Sequence, residues 1–457
     1  MKMTLAEIAQ AVGAVVSEDQ VAQFKNIIID NIAIDSRKAT QGSLFVPLAG
    51  QRDGHDFVGN AQSNGASATF WQTGHDNRPD NISVVEVDDP LAALQGLAKY
   101  YLIKVNPKVV AVTGSNGKTT TKDMVAAVLA TQNNTAKTQG NHNNEIGVPL
   151  TILGMETNTE VLVVEMGMDH FGQLTFLSDM VEPDIAVITM IGEAHIEFFG
   201  TRDKIADAKM EITSGLKEDG TLIINGDEPL LTARAEKWEP LTFGFEDHNY
   251  LYQTSMKLGS EQSEFTVNKW PEITFSIPMM GEFNVLNALA ALAVGRRFHI
   301  KPADMAKALA TFQPTANRNQ WLQGQSGTMI LSDVYNSNPT AVHEVLQSFK
   351  EVTTEGHHIV VLGDMLELGE KSGELHAGLA TDLTPDEIEQ VYLYGPDMAY
   401  LYQALQSRYS ADNLHYYDQN QQEQLIEDLR ADVTAADLVL LKASNGMHFD
   451  RVLAGLM

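Results

Sequence analysis

Apolar and polar positions along this 457-residue chain keep several rhythms in turn. TLAEIAQAVGAVV sets apolar residues at helical spacing and predicts an amphipathic helix from Thr4 to Ala11. Short alternating strands follow, then a second helix from Pro90 to about Ile103. Beyond Val109 the rhythm changes. VLVVE (Val161–Glu165), IAVITM (Ile185–Met190) and TLIIN (Thr221–Asn225) are apolar runs suited to buried parallel strands, with helical stretches between them. EFTVNK and EITFSI then alternate as an antiparallel ribbon, and NVLNALAALAVGRRF reads as an alanine-rich helix. After Pro314, TMILSDVY, HIVVLGDM, QVYLYG and DLVLLKAS repeat a strand-then-helix pattern.

The pattern predicts an α/β protein of three domains. Residues 1–108 form a small mixed α/β N-terminal domain. Residues 109–312 form a central parallel-sheet domain of the P-loop mononucleotide-binding type. Residues 313–457 form a Rossmann-like, doubly wound domain without a phosphate loop of its own. Pro107 and Pro314 mark the linkers.

Composition narrows the chemistry. The chain has no cysteine, which excludes disulfides, thiolate catalysis and cysteine-ligated metals and fits a reducing cytoplasm. A net charge of −29 argues against broad nucleic-acid or anionic-membrane binding and is read as a well-solvated surface. The N-terminus lacks a basic stretch followed by a clean apolar run, so no signal peptide is expected, and no apolar run is long enough to span a bilayer. An anionic substrate then needs a local pocket of lysine, arginine, magnesium and backbone N–H groups.

VAVTGSNGKTTTKD, from Val110 to Asp123, supplies such a pocket. A strand ends in the turn Gly114, Ser115, Asn116, Gly117, and a helix starts near Lys118. Small residues let the loop backbone approach phosphates, with the helix N-terminus facing negative charge. Lys118 would reach the outer phosphates, and the Thr119 hydroxyl would sit on a magnesium ion, with Thr120 following. Val112 stands where the strict G-x-x-x-x-G-K-[ST] pattern has its first glycine.

Ligands of open parallel sheets gather beyond the carboxyl ends of strands. Glu165 closes VLVVE, and His195 follows IAVITM in GEAHIEFFG, so both face the edge that carries Lys118 and Thr119. They suit magnesium, although a solvated carboxylate and a structural histidine explain them singly. Thr201 is placed to cap a helix bearing Lys209, which composition alone would read as an exposed salt-bridging lysine. GNHNNEIG, with Asn143 and Asn144, suits either a substrate contact or an Asx-type turn.

The order of these motifs resembles the Mur ligase family. TGSNGKTTTKD, TQGNHNNEIGVP, VEMGMDHFGQL, GEAHIEFFG and the helix with Lys209 occur in the family's order. GEFNVLNALAA, NRNQW, SDVYNSNPTA and GDMLELG extend the match into the third domain, and DSR (Asp35 to Arg37) with LFVPLAGQRDGHDF covers the first. The resemblance implies an ATP-dependent amide ligase of cytoplasmic peptidoglycan precursor synthesis. GDMLELG and YNSNPTA resemble the branch that joins D-Ala-D-Ala to UDP-N-acetylmuramoyl-tripeptide through an acyl phosphate.

By the same resemblance, Lys118 holds the outer phosphates, and Thr119 and Glu165 bind one of two magnesium ions. His195 and a carbamylated Lys209 partner the second. Asn287, Arg318 and Asp333 match nucleotide-contacting positions, Asp333 serving the ribose. Tyr335, Asn336, Asn338 and Thr340 face nucleotide and acceptor, and Lys442 is a substrate contact. Ser36, Arg37 and the Gly50 to Phe57 stretch, including Arg52, match the uridine-nucleotide pocket. A monomer is implied. Two positions depart from the family pattern: Phe283 replaces a common histidine, and Asn445 in KASNGMHF replaces an arginine. A folylpolyglutamate-synthase-like ligase is the nearest rival, opposed by the N-terminal domain and GDMLELG. A nucleotide-dependent switch is the rival from another class, and it leaves Glu165, His195 and Lys209 without a task.

Overall fold

The computed structural model describes all 457 residues. The Thr4 hydroxyl accepts the Glu7 N–H and starts the helix Leu5–Ala11, and Asp89 caps Pro90–Val105 in the same way. Between them, Asn31–Ala33, Ser43–Phe45, Ala68–Gln72 and Ser83–Val87 pair in sequence order as a four-stranded parallel sheet.

The central sheet has nine strands. Lys108–Thr113 lies between Val161–Glu165 and Ile185–Ile188, all parallel, with Thr135–Lys137 at one edge. On the other side come Thr221–Asn225 and then Leu241–Gly244 and Leu251–Lys257, also parallel. The last two carry the sheet further than the sequence pattern indicated, because neither is a long apolar run. The expected antiparallel ribbon, Ser263–Val267 with Trp270–Ile277, then extends it. IAVITM is shorter as a strand than read, ending at Ile188, which frees Thr189 and Met190 for the loop beyond.

Period-two alternation divides the central strand between two cores. Val110 and Val112 pack with the alanine-rich helix Glu282–Arg297, which is buried on nearly every side, and with the helix Lys118–Leu129. Val109 and Ala111 face the opposite core, which continues into Leu94, Leu97 and Tyr101 of the helix Pro90–Val105. No apolar break therefore occurs at Pro107.

The third sheet runs Gln320–Gln323, Met329–Asp333, Leu438–Lys442, His358–Gly363, Gln390–Tyr394 and Leu414–Tyr417. All are parallel except the first, as in a doubly wound fold with one antiparallel edge. In its apolar cores the preceding region contributes only Met280 and Ile196. Polar bonds add further contacts across Pro314, among them Thr315 to Asp123 at 2.6 Å, Trp321 to Ser260 O at 2.7 Å, Asn338 to Asn116, Thr340 to Glu193 and His195 to Glu367. A buried leucine contributes about 1.5–3 kcal/mol against about 1 kcal/mol for a hydrogen bond. Pro314 is accordingly the weaker junction. No helix is long and apolar enough to cross a membrane.

Candidate active site

The carboxyl ends of the central and C-terminal sheets face each other across a cavity of about 990 Å³. Its floor is the phosphate loop. Gly114 (φ +151°) and Gly117 (φ +78°) adopt backbone conformations that side chains resist. A Cβ at Gly114 would collide with the Thr189 hydroxyl, and one at Gly117 with the Asn287 amide oxygen. Asn287 also accepts the Thr121 hydroxyl at 3.1 Å, so it braces the start of the loop helix from behind.

Lys118 curls back onto its own loop, donating to Gly114 O at 2.8 Å and Ser115 O at 3.1 Å. Burial pushes its ammonium down to about 8, with Glu165 opposing and Arg318 adding to the shift. Glu165 ends its strand with Oε1 held by Asn143 at 2.8 Å, while Oε2 is buried and has no partner. Lys209 sits on the helix Arg202–Met210, which Thr201 caps, near enough to feel the charges of Lys118 and Glu165. It is 1% exposed, its Nζ has no partner, and burial holds its pKa well below the ordinary value, the Lys118 charge adding to that. The expectation of an exposed salt-bridging lysine from composition does not hold here.

His195 is in the left-handed region (φ +64°), which turns its ring into the cavity mouth. Nδ1 bonds Glu367 Oε2 at 2.5 Å, so Nδ1 carries the hydrogen of that bond, and Nε2 has no partner in the chain. That bond also holds the Glu367 carboxyl below its usual range. A carboxylate behind a histidine is the usual support of a metal-binding imidazole. Glu367 belongs to GDMLELG but was not singled out in the sequence; its place just past the strand His358–Gly363 is the signal that could have found it.

Ser115, Asn116, Gly117, Thr119, Thr120, Asn143, Asn144, Asn287, Asp333 and Asn336 also line the cavity. Arg318 lies over the Tyr335 ring at 4.0 Å from its centroid, with its Nε buried and unpartnered. Lys442 donates to Asp333 Oδ2 at 2.6 Å and to Asn336 O at 2.8 Å, so both proposed contacts begin occupied with each other. Asn144 accepts the Ile146 and Gly147 N–H groups as an Asx-type turn, whereas Asn143 reaches Glu165. Asn338 does not line the cavity: it is buried behind it, caps the helix Pro339–Lys350 and exchanges two amide bonds with Asn116 of the phosphate loop. Thr340 donates to Glu193. Phe283 and Asn445 both line the wall.

Ser36, Arg37 and Arg52 do not reach this cavity. Ser36 is buried, whereas Arg37 is 83% exposed and bidentate to Asp35, whose carboxyl it pulls down to about 2. Arg52 is exposed beside Asp53, which bonds His55 and His75 at 2.7 and 2.9 Å and so ties the Gly50 to Phe57 loop together.

Matches to known proteins cover all three regions. The Mur ligase family catalytic domain matches residues 28–101, the Mur ligase middle domain 112–295, and the Mur ligase glutamate ligase domain 317–445. The UDP-N-acetylmuramoyl-tripeptide–D-alanyl-D-alanine ligase of Bacillus subtilis is 41% identical over 458 aligned residues, covering 100% of this chain and 99% of the relative. The chain belongs to the Mur ligase family. Among solved Mur ligases, MurF from Acinetobacter baumannii superposes with a TM-score of 0.86 at 28% identity, over 100% of this chain and 99% of that one. MurF ligase from Thermotoga maritima, solved in complex with ADP, gives 0.80 at 29% identity, over 93% and 96%. This Mur ligase therefore has its charged residues where two sheet ends converge, and the N-terminal pair Asp35–Arg37 stands apart from them.

Proposed function

We propose that the chain is an ATP-dependent amide ligase that joins D-Ala-D-Ala to UDP-N-acetylmuramoyl-tripeptide in cytoplasmic peptidoglycan precursor synthesis. The observation that carries this reading is the grouping of Lys118 with an unpartnered Glu165 oxygen and a buried, unpartnered Lys209. Buried polar groups are normally satisfied, so two orphans within electrostatic reach of each other suit a ligand that bonds both. Relatives named for this reaction at full-length coverage support it.

A peptide carboxylate is a poor acylating agent because oxide would have to leave. Transfer of the γ-phosphoryl group of ATP forms an acyl phosphate, from which the incoming amine displaces phosphate. Lys118 neutralises the outer phosphates, and the loop N–H groups orient them. Arg318, stacked on Tyr335, and Asp333 receive the nucleotide. Magnesium fits the donor set: Thr119 and Glu165 would hold one ion, His195 and Lys209 a second. When bound, the ions neutralise charge developing on the phosphates. An ammonium is unsuitable as a ligand. The depressed basicity of Lys209 favours the neutral amine, the form that adds carbon dioxide, forming an N–C bond and releasing one proton. The resulting carbamate is anionic and offers two oxygens.

In this reading residues 1–108 take the uridine nucleotide, 109–312 grip ATP, and 313–457 bring the dipeptide and complete the nucleotide pocket. One chain carries every group required, so the enzyme acts as a monomer. Closure at Pro314 excludes water that would hydrolyse the acyl phosphate.

The test is phosphate release by purified protein. It should require ATP, magnesium, the UDP-linked tripeptide and D-Ala-D-Ala together, and Lys118→Ala should lower it by about 10²–10³-fold. Rapid release without the dipeptide would refute amide ligation.

A further inference from the structure

The helix Pro339–Lys350 places Glu344 on the wall of the same cavity, one turn beyond Thr340. Its side chain is half-buried, lines the cavity and makes no hydrogen bond or ion pair within the chain. Burial raises it to about 7; Lys442 and His343 oppose the shift, and Glu193 and Asp333 add to it. Each of these neighbours is already engaged. Lys442 bonds Asp333, His343 bonds Asp382 at 2.7 Å, and Glu193 accepts from Thr340 while lying 3.9 Å from Arg202. No group in the chain bonds the Glu344 carboxyl directly. A half-buried acid without a bonded partner adds little to stability, and the helix needs none there, since Val342, Val345, Leu346 and Phe349 already make its apolar face.

We propose that Glu344 receives the protonated amino group of the incoming dipeptide and takes its proton before attack. The inference rests on the ligase reading and adds the step that reading leaves open. A free α-amino group has a pKa of about 8 and is mostly an ammonium at pH 7, which has no lone pair to attack with. The unpartnered carboxylate attracts that cation, and a carboxyl whose affinity for protons approaches the amine's can accept one with little penalty. One N–H proton passes to a Glu344 oxygen, giving a neutral amine and a carboxylic acid. The nitrogen pair forms the C–N bond at the acyl carbon, the C–O bond to phosphate breaks, and phosphate leaves with that electron pair. The nitrogen's second proton leaves with the phosphate.

Glu344→Gln keeps the shape and removes the base. With ATP and the UDP-linked tripeptide, two acceptors are compared: D-Ala-D-Ala, and hydroxylamine, whose weakly basic nitrogen is already neutral at pH 7. Dipeptide ligation at pH 7 should fall by about 10²-fold, with hydroxamate formation unchanged. The deficit should shrink toward pH 9 as the amine loses its own proton. Glu344→Asp should restore part of the rate. Equal loss with both acceptors would reduce Glu344 to a structural role, and wild-type ligation across the pH range would remove any role; either overturns the proposal. Absence of hydroxamate with the unaltered enzyme would instead overturn the ligase reading itself.

Discussion

Two charged clusters in this molecule obey opposite rules. Around Asp35, Arg37, Asp53, His55 and His75, each charged or ring group has a partner, and most remain in water. Around Lys118, Glu165 and Lys209, the last two are buried and each leaves a polar atom with no partner, while Lys118 is half-buried. The first cluster is a self-contained surface network that holds a loop in shape. The second is stable only because surrounding packing supports it, and its unmet hydrogen bonds are capacity for a ligand. Unsatisfied burial, rather than charge alone, separates the two clusters, and it is the ground on which the second is proposed as the reaction site.

The sharpest way to break that contrast is Lys209→Met. Activity should fall by at least about 10²-fold, as when a single transition-state contact is lost. The same substitution should raise thermal stability in carbonate-free buffer, since an orphaned buried donor costs about 1–3 kcal/mol. The folded-state pKa of Lys209 is depressed, so the unfolded chain binds more protons and the wild-type protein gains stability as pH rises toward the ordinary lysine value. The advantage of methionine should therefore shrink with rising pH in thermal melts. A melting temperature lowered equally at every pH would mean that Lys209 is structural.

Asn338→Ala probes the clasp on the phosphate loop, between the two extremes. It removes a helix cap worth about 1 kcal/mol and both amide bonds to Asn116. A lower melting temperature and a higher KM for ATP are expected, measured by calorimetry and initial rates; an unchanged KM would disconnect the clasp from nucleotide binding. Arg37→Ala should do least. Its melting temperature should match the wild type, and only the KM for the UDP-linked substrate should rise, by about tenfold, the worth of one charge-assisted hydrogen bond. A fall in kcat would erase the distinction between the clusters.

Much of this was legible in the sequence because its signals are local. Apolar runs such as VLVVE, and the turn from Gly114 to Gly117, depend on neighbouring residues, and strand ends identified Glu165 and His195. Strands such as Leu241–Gly244 and Leu414–Tyr417 escaped because they are short and only partly buried, and pairing with a neighbour defines them. The burial of Lys209 and the isolation of Glu344 arise from chain segments far apart in sequence. No spacing rule encodes them.

The order of strands in the third sheet bears on how the protein is made. Leu438–Lys442 comes last among that sheet's strands, yet it lies between Met329–Asp333 and His358–Gly363 and bonds to both. A growing chain on the ribosome therefore has two half-sheets with a vacant central slot until this segment emerges, and the facing backbone edges of Met329–Asp333 and His358–Gly363 stay unpaired meanwhile. Lys442, which anchors Asp333, arrives on that same strand. A chain cut short just before residue 438 would thus lack the keystone of its C-terminal domain as well as a wall of the cavity, making it a substrate for chaperones and proteases rather than a weakened enzyme.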